Sequence, residues 1–208
     1  KNLHLVGVGG GARPVNVKML CPRSQFDVGG INVVYVRVAR EYFDLKETPS
    51  MKVIVADARV FSKRAWLKDM TYDLVILDAF TGDYIPEHLM TREFLDEVKR
   101  ILEPGGAVVA NTFSTSKLYD HESVTYHDVF GDFLNFKMPI TGNRVIIATD
   151  GKLPGDEVIE ERAAHFPPLL DRYGVEIEIY PRFLSRDPDW DQDKRPLTDQ
   201  YSPANLLK

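Results

Sequence analysis

The chain has one cysteine, Cys21, in 208 residues. A single thiol cannot form an internal disulfide, so the core must hold the fold, and a reducing compartment, the cytoplasm, is the expected location. Long apolar runs are missing as well. Nothing approaches the roughly 20 residues that a membrane-crossing helix needs, and no signal-peptide pattern opens the chain, so no membrane contact is expected from the visible residues. Positive charge is scarce: 26 Lys and Arg against 31 Asp and Glu leave a net charge of −5. Proteins that grip a nucleic-acid backbone usually carry a basic face, so nucleic acid is not the expected partner. Internal repeats and low-complexity tracts are also absent. The first apolar run begins almost at Lys1, and an amino-terminal piece is expected to precede it.

What is present is a chain that is 44% hydrophobic, enough to bury a substantial core in one domain spanning residues 1–208. Apolar runs alternate with helical patterns, which predicts an α/β fold with a mainly parallel sheet covered on both faces. Strands are expected at 3–8, 26–31, 52–56, 72–77 and 107–111, and helices at 14–20, 34–43, 60–67, 86–102, 118–130 and 157–173. In the second helix Val34, Val38 and Tyr42 share one side. Two β runs, 135–139 and 144–149, flank Thr141-Gly142-Asn143 and read as a hairpin. A last short strand is expected at 175–180, followed by a loop-like tail from Ser185.

The segment from Tyr72 to Asp83 is the most informative, because its apolar run stops abruptly at Asp78. Open parallel sheets bind ligands at the carboxyl ends of their strands, so the carboxylates Asp78 and Asp83 are candidate site residues, with Tyr84 in the same loop. The first strand runs into Gly7-Val8-Gly9-Gly10-Gly11. Glycine adds no side chain and tolerates positive φ, so Gly7, Gly9 and Gly11 can let the backbone pass close beneath a ligand. A dinucleotide site expects an acid at the end of the second strand. Gly29-Gly30-Ile31-Asn32 stands there instead, which leaves the Asn32 amide as the hydroxyl-binding candidate. Asp57-Ala58 closes the third strand: the carboxylate can accept from the exocyclic amine of adenine, and the Ala58 N–H can donate to a ring nitrogen. Pairing of Asp57 with Arg59 is the alternative.

Other polar groups point to no site. His121 and His127, with Asp120, Glu122 and Asp128, lack the spacing of a helix-face zinc pair, so no metal is expected. The acidic segment 187–193 lacks the glycine and terminal glutamate of a calcium loop and reads as a surface linker. Cys21 has no evident base beside it.

The glycine loop, the helix Val36 to Phe43, Asp57-Ala58-Arg59-Val60-Phe61, the run Tyr72 to Asp78 and Leu102-Glu103-Pro104-Gly105-Gly106 together resemble the spermidine synthase (polyamine aminopropyltransferase) family. The tail from Leu197 to Leu207 resembles the carboxyl terminus of that family's divergent bacterial, spermidine-synthase-like branch. The resemblance implies the Rossmann-like fold of class I S-adenosylmethionine-dependent methyltransferases: a seven-stranded, mainly parallel sheet with helices on both faces, its last strand antiparallel at the hairpin. It implies transfer of an aminopropyl group from decarboxylated S-adenosylmethionine, a co-substrate rather than a prosthetic group, to a di- or polyamine. Asp78 aligns with the family's catalytic aspartate. Gly7, Gly9 and Gly11 would lie under the nucleoside, Asp57 and Ala58 would hold adenine, and a homodimer is implied.

The chain departs from the family pattern at three places. Ala12-Arg13 follows the glycines where the family has an acid, Gly30 stands at the position of the ribose-binding glutamate, and the second acid after Asp78 is displaced to Asp83. The family's amino-terminal β-hairpin region is not visible. Two further readings share the fold: a methyltransferase using S-adenosylmethionine itself, and a non-enzymatic descendant.

Overall fold

The computed structural model describes residues 1–8, 12–43, 45–80, 84–139, 141–166, 170 and 174–203. Among the described residues eight strands form one sheet: β1 (Asn2–Val6), β2 (Gln25–Gly30), β3 (Met51–Val55), β4 (Tyr72–Leu77), β5 (Leu102–Phe113), β6 (Leu134–Lys137), β7 (Asn143–Thr149) and β8 (Leu184–Ser185). Their order is β3-β2-β1-β4-β5-β7-β6-β8. The first five in that order pair in parallel, and β7 lies antiparallel between β5 and β6, as expected of the hairpin. The two-residue β8 extends the expected seven strands to eight. Strand order reverses between β1 and β4, and this opens a crevice at their carboxyl ends.

The described residues form six helices: α1 (Ala12–Leu20), α2 (Val33–Tyr42), α3 (Ala58–Trp66), α4 (Arg92–Lys99), α5 (Tyr119–Phe130) and α6 (Asp156–Ala164). Strands buried on both faces need apolar residues on both, and Val28, Val75 and Val108 are fully buried. On one face Leu3, Leu5, Phe26 and Val28 pack against Val36 and Ala39 of α2. On the other, Val75 and Val108 meet Phe61 of α3, Phe94, Leu95 and Val98 of α4, and Tyr126 and Phe130 of α5.

Four expectations need correction. The helix expected at 86–102 is a 3-10 turn, Glu87–Leu89, followed by α4. The break falls at Thr91, whose hydroxyl accepts from the Phe94 N–H at 3.3 Å and starts a new helix. The strand expected at 107–111 begins earlier, at Leu102, and carries Glu103-Pro104-Gly105-Gly106 within it. The strand expected at 175–180 is a 3-10 run, Ile177–Phe183, containing Pro181, which has no N–H to give a ladder. In α2 the packed side is Val36 and Ala39, while Val34 and Tyr42 are 51% and 76% exposed. The helix expected at 157–173 is described only as α6, since residues 167–169 and 171–173 lie outside the described residues.

Candidate active site

Asp78 follows β4 directly, and its N–H donates to the Val6 carbonyl at 2.9 Å, which continues the β1–β4 pairing by one residue. There the two strand ends nearly touch. Gly7 has φ +105°, and a Cβ on it would lie 2.1 Å from the Asp78 carbonyl oxygen. No side chain fits at that distance, so glycine at position 7 lets β1 leave the sheet past Asp78. That packing duty differs from lying under a ligand. The Gly7 N–H is used within the fold, donating to Gly29 O at 2.9 Å.

The Asp78 side chain is buried, with the residue 5% exposed. Its Oδ1 accepts from Asn111 Nδ2 at 3.0 Å, and Asn111 Oδ1 in turn accepts from Asn143 Nδ2 at 3.1 Å. Three neighbouring strands therefore orient one carboxylate. Asn111 and Asn143 were not among the candidates. The signal for Asn111 was its place at the end of the apolar run beside Asp78; only the sheet order could reveal Asn143. Past Asp78, Phe80 meets Phe113 at the end of β5 edge-on, with centroids 5.1 Å apart.

At the ends of β2 and β3 the candidates serve first as helix caps. Asn32 Oδ1 accepts from the Val34 N–H at 2.8 Å and starts α2, while the residue remains exposed. Asp57 Oδ1 accepts from the N–H groups of Arg59 and Val60 at 3.0 and 3.1 Å, starting α3. Ala58, the first residue of α3, is buried. Its N–H is not taken by the Asp57 cap. His88 was not expected here: its Nε2 lies 2.9 Å from Asp57 Oδ2. Burial alone would raise the Asp57 pKa, but the His88 contact and the capping N–H groups outweigh it and hold the carboxyl below its ordinary value.

Arg59 does not pair with the Asp57 side chain. Its guanidinium grips Asp199 of the tail at 2.7 and 2.6 Å, and Glu97 of α4 at 3.0 Å. The hydrogen bond from Arg59 is the main reason the Asp199 carboxyl titrates below its ordinary range. A Cβ at Gly30 would lie 2.5 Å from Val8 Cγ2, so any side chain there requires Val8 to move. Tyr84 is 42% exposed beyond Asp78. Gly9, Gly11 and Asp83 lie outside the described residues.

The residues set aside earlier have local partners. His121 Nδ1 is 2.7 Å from the Arg195 carbonyl, and His127 lies 3.7 Å from Asp132. Among the described residues no group of three or more His, Cys, Asp or Glu could hold a metal ion. The acidic 187–193 segment is more than a surface linker. Asp189 accepts from Tyr119 Oη at 2.7 Å and from Asn135 Nδ2 at 3.0 Å and pairs with Lys137, while Trp190 stacks on Phe133 at 4.9 Å. No helix among the described residues is long and apolar enough to cross a membrane.

A small recess, partly open to solvent, lies beside Asn111 between the end of β4 and residues 85–90. Leu77, Ala79, Ile85 and Leu89 give it apolar walls, and Glu122 of α5 adds a carboxylate.

A polyamine aminopropyltransferase of Vibrio vulnificus (strain CMCP6) is 49% identical over 209 residues, an alignment that covers all of this chain and 70% of the relative. The chain belongs to the polyamine aminopropyltransferase family. No family model matches it. Human methyltransferase-like protein 13, solved in complex with SAH, superimposes with a TM-score of 0.72 at 23% identity, covering 99% of this chain and 88% of that one. Spermidine synthase from Thermotoga maritima gives a TM-score of 0.62 at 19% identity, covering 80% of this chain and 59% of its own length. At such identities these two likenesses speak for the fold, which aminopropyltransferases share with S-adenosylmethionine-dependent methyltransferases.

Proposed function

We propose that this polyamine aminopropyltransferase family member transfers an aminopropyl group from decarboxylated S-adenosylmethionine to a di- or polyamine, as a single catalytic domain, with Asp78 as the catalytic carboxylate. The observation that carries the reading is the buried Asp78, fixed by backbone to Val6 and by side chain to Asn111 at the carboxyl end of β4. The kinship to an aminopropyltransferase at 49% identity favours this chemistry over methyl transfer.

An acceptor amine is an ammonium at neutral pH and has no lone pair to attack with. Asp78 attracts the ammonium and receives one proton from it. The freed nitrogen lone pair then forms a bond to the aminopropyl carbon next to the sulfonium. The C–S bond breaks, its electron pair stays on sulfur, and neutral methylthioadenosine leaves. The product keeps its charge as a secondary ammonium, and Asp78 gives the one proton it took to water. The sulfonium is already an activated electrophile, so the protein's main contribution is alignment.

In this reading Asp57 and the Ala58 N–H hold adenine, with His88 as a movable cover on Asp57. The Asn32 amide N–H groups face the ribose hydroxyls, and the glycine loop Gly7, Gly9 and Gly11 lies beneath the nucleoside, with Asp83 and Tyr84 on the amine side. The exposed apolar side chains of Val34, Tyr35, Tyr42 and Phe43 on and after α2 support a homodimer. The lone cysteine supports a cytoplasmic setting.

Calorimetric titration with methylthioadenosine and with S-adenosylhomocysteine tests the reading. Tighter binding of methylthioadenosine is expected. Preference for S-adenosylhomocysteine would support methyl transfer, and binding of neither would support the non-enzymatic descendant.

A further inference from the structure

We propose that Asp199, in the carboxyl-terminal tail, is a positioning residue of the nucleoside site: it holds the Arg59 guanidinium away from Asp57 and so keeps that carboxylate open to the exocyclic amine of adenine. The inference rests on the reading of Asp57 and Ala58 as adenine contacts and names the residue that keeps them accessible. Arg59 stands two residues after Asp57, and its backbone N–H already donates to Asp57 Oδ1 at 3.0 Å. A guanidinium released there has a carboxylate within reach, and charge-assisted pairing between the two is favourable. The tail supplies a better partner. Arg59 Nη1 and Nη2 donate to Asp199 Oδ1 and Oδ2 at 2.7 and 2.6 Å, the parallel two-bond geometry in which guanidinium and carboxylate match. Glu97 engages Nε, at 3.0 and 3.2 Å, and leaves both terminal nitrogens to Asp199. Asp57 Oδ2 thereby faces the half-exposed ring of His88, which is free to swing aside, rather than a fixed cation.

Asp199 can do this because the tail is itself anchored. Leu197 is fully buried against Met90 and Leu118. Its carbonyl accepts from the Arg92 N–H at 2.9 Å, and its N–H donates to Thr125 Oγ1 at 2.8 Å. Two residues on, the Asp199 N–H donates to Glu93 Oε2 at 2.9 Å, and Asp199 Oδ1 accepts from the Thr91 hydroxyl at 2.8 Å. Thr91 caps α4. One short stretch of tail is therefore pinned to the start of α4 and grips the start of α3, where the adenine candidates lie. An ion pair in that place also serves stability, and a rescue experiment separates the two roles.

The test titrates methylthioadenosine calorimetrically into the full chain as wild type, Asp199→Asn, Arg59→Met and the double variant. Asp199→Asn frees the terminal nitrogens for Asp57, so affinity should fall about tenfold, the scale of one hydrogen bond to a charged group. The KM for decarboxylated S-adenosylmethionine should rise by a similar factor while kcat is kept. Arg59→Met loses the ion pair but also the competing cation, so it should keep the wild-type affinity. The double variant decides: removing Arg59 should restore the affinity that Asp199→Asn lost, although stability does not recover. A merely structural pair would give no such rescue. Asp199→Ser, smaller and equally neutral, releases Arg59 in the same way and serves if Asp199→Asn fails to fold. Unchanged affinity in the Asp199 variants, or a double variant that binds no better than Asp199→Asn, would overturn the positioning role. Turnover measured in parallel separates this claim from the activity. Aminopropyl transfer with unchanged affinity in the Asp199 variants sinks the positioning role and leaves the activity. Affinity that falls with Asp199 and returns in the double variant, without any transfer, sinks the activity and leaves the positioning role.

Discussion

The carboxyl ends of β2 and β3 and those of β4 and β5 carry the two halves of the candidate site, built in different ways. Asn32 and Asp57, on the first pair, are at least partly exposed, and each caps the helix that follows it. Asp78, in the second half, is buried and is oriented by residues distant in sequence, Asn111 and Asn143. A cap is fixed by neighbours two or three residues away and keeps spare capacity for a ligand. A buried carboxylate is fixed by the whole sheet, and errors in its surroundings are costly. The proposed nucleoside contacts therefore rest on local structure, whereas the proposed chemistry rests on tertiary structure.

The seam between the halves is Gly7. Gly7→Ala should have the largest effect, because the added methyl meets the Asp78 carbonyl at 2.1 Å. A loss on the order of 4 kcal/mol is expected in denaturant unfolding, together with loss of turnover. Near-native stability would show that the strand ends can part, and that the halves are less tightly joined than described.

His4, under the nucleoside half, offers the next test. Burial pushes its pKa from 6.5 down to about 4, against a weaker opposing effect of its hydrogen bond to Asp27 O. It stacks on Phe61 at 3.9 Å. Between pH 6.5 and about 4 the unfolded chain takes up a proton that the folded chain refuses. Stability is therefore complete above pH 6.5 and falls as pH drops to about 4, by about 3 kcal/mol in all. Thermal melts across that range should show the decline, and His4→Phe should flatten it. An unchanged slope in that variant would assign the acid sensitivity to other groups.

Smaller again is Asp57→Ala. Removing the cap and the proposed adenine contact should weaken methylthioadenosine binding by about 1–3 kcal/mol and lower stability by about 1 kcal/mol. Loss of stability without loss of affinity would leave Asp57 as a cap alone.

The same contrast decides what could be read from sequence. The alternation of strands and helices along the chain, the hairpin and the position of Asp78 at the end of a strand were legible because apolar runs ending in Asp, Gly or Asn obey short-range rules. The 86–102 helix was misjudged because Thr91 restarts the helix within a continuous helical pattern. The exposed stripe of Val34 and Tyr42 on α2 was misjudged because periodicity gives a face without saying which neighbour covers it. His88 at Asp57, Asp199 at Arg59, and Glu122 in the recess all depend on contacts more than 20 residues apart in the chain, which no local pattern records.

The proposed chemistry depends on Asp78, and Asp78→Asn measures it most directly. The replacement keeps the size of the side chain and removes its capacity to take a proton. Methylthioadenosine release from decarboxylated S-adenosylmethionine and a diamine should fall by roughly 10³-fold, within the range of general-base contributions, while calorimetric affinity for methylthioadenosine stays within about twofold. Turnover in the variant close to that of the wild type would contradict the account, and so would an equal collapse of turnover and nucleoside affinity, which would make Asp78 a structural residue.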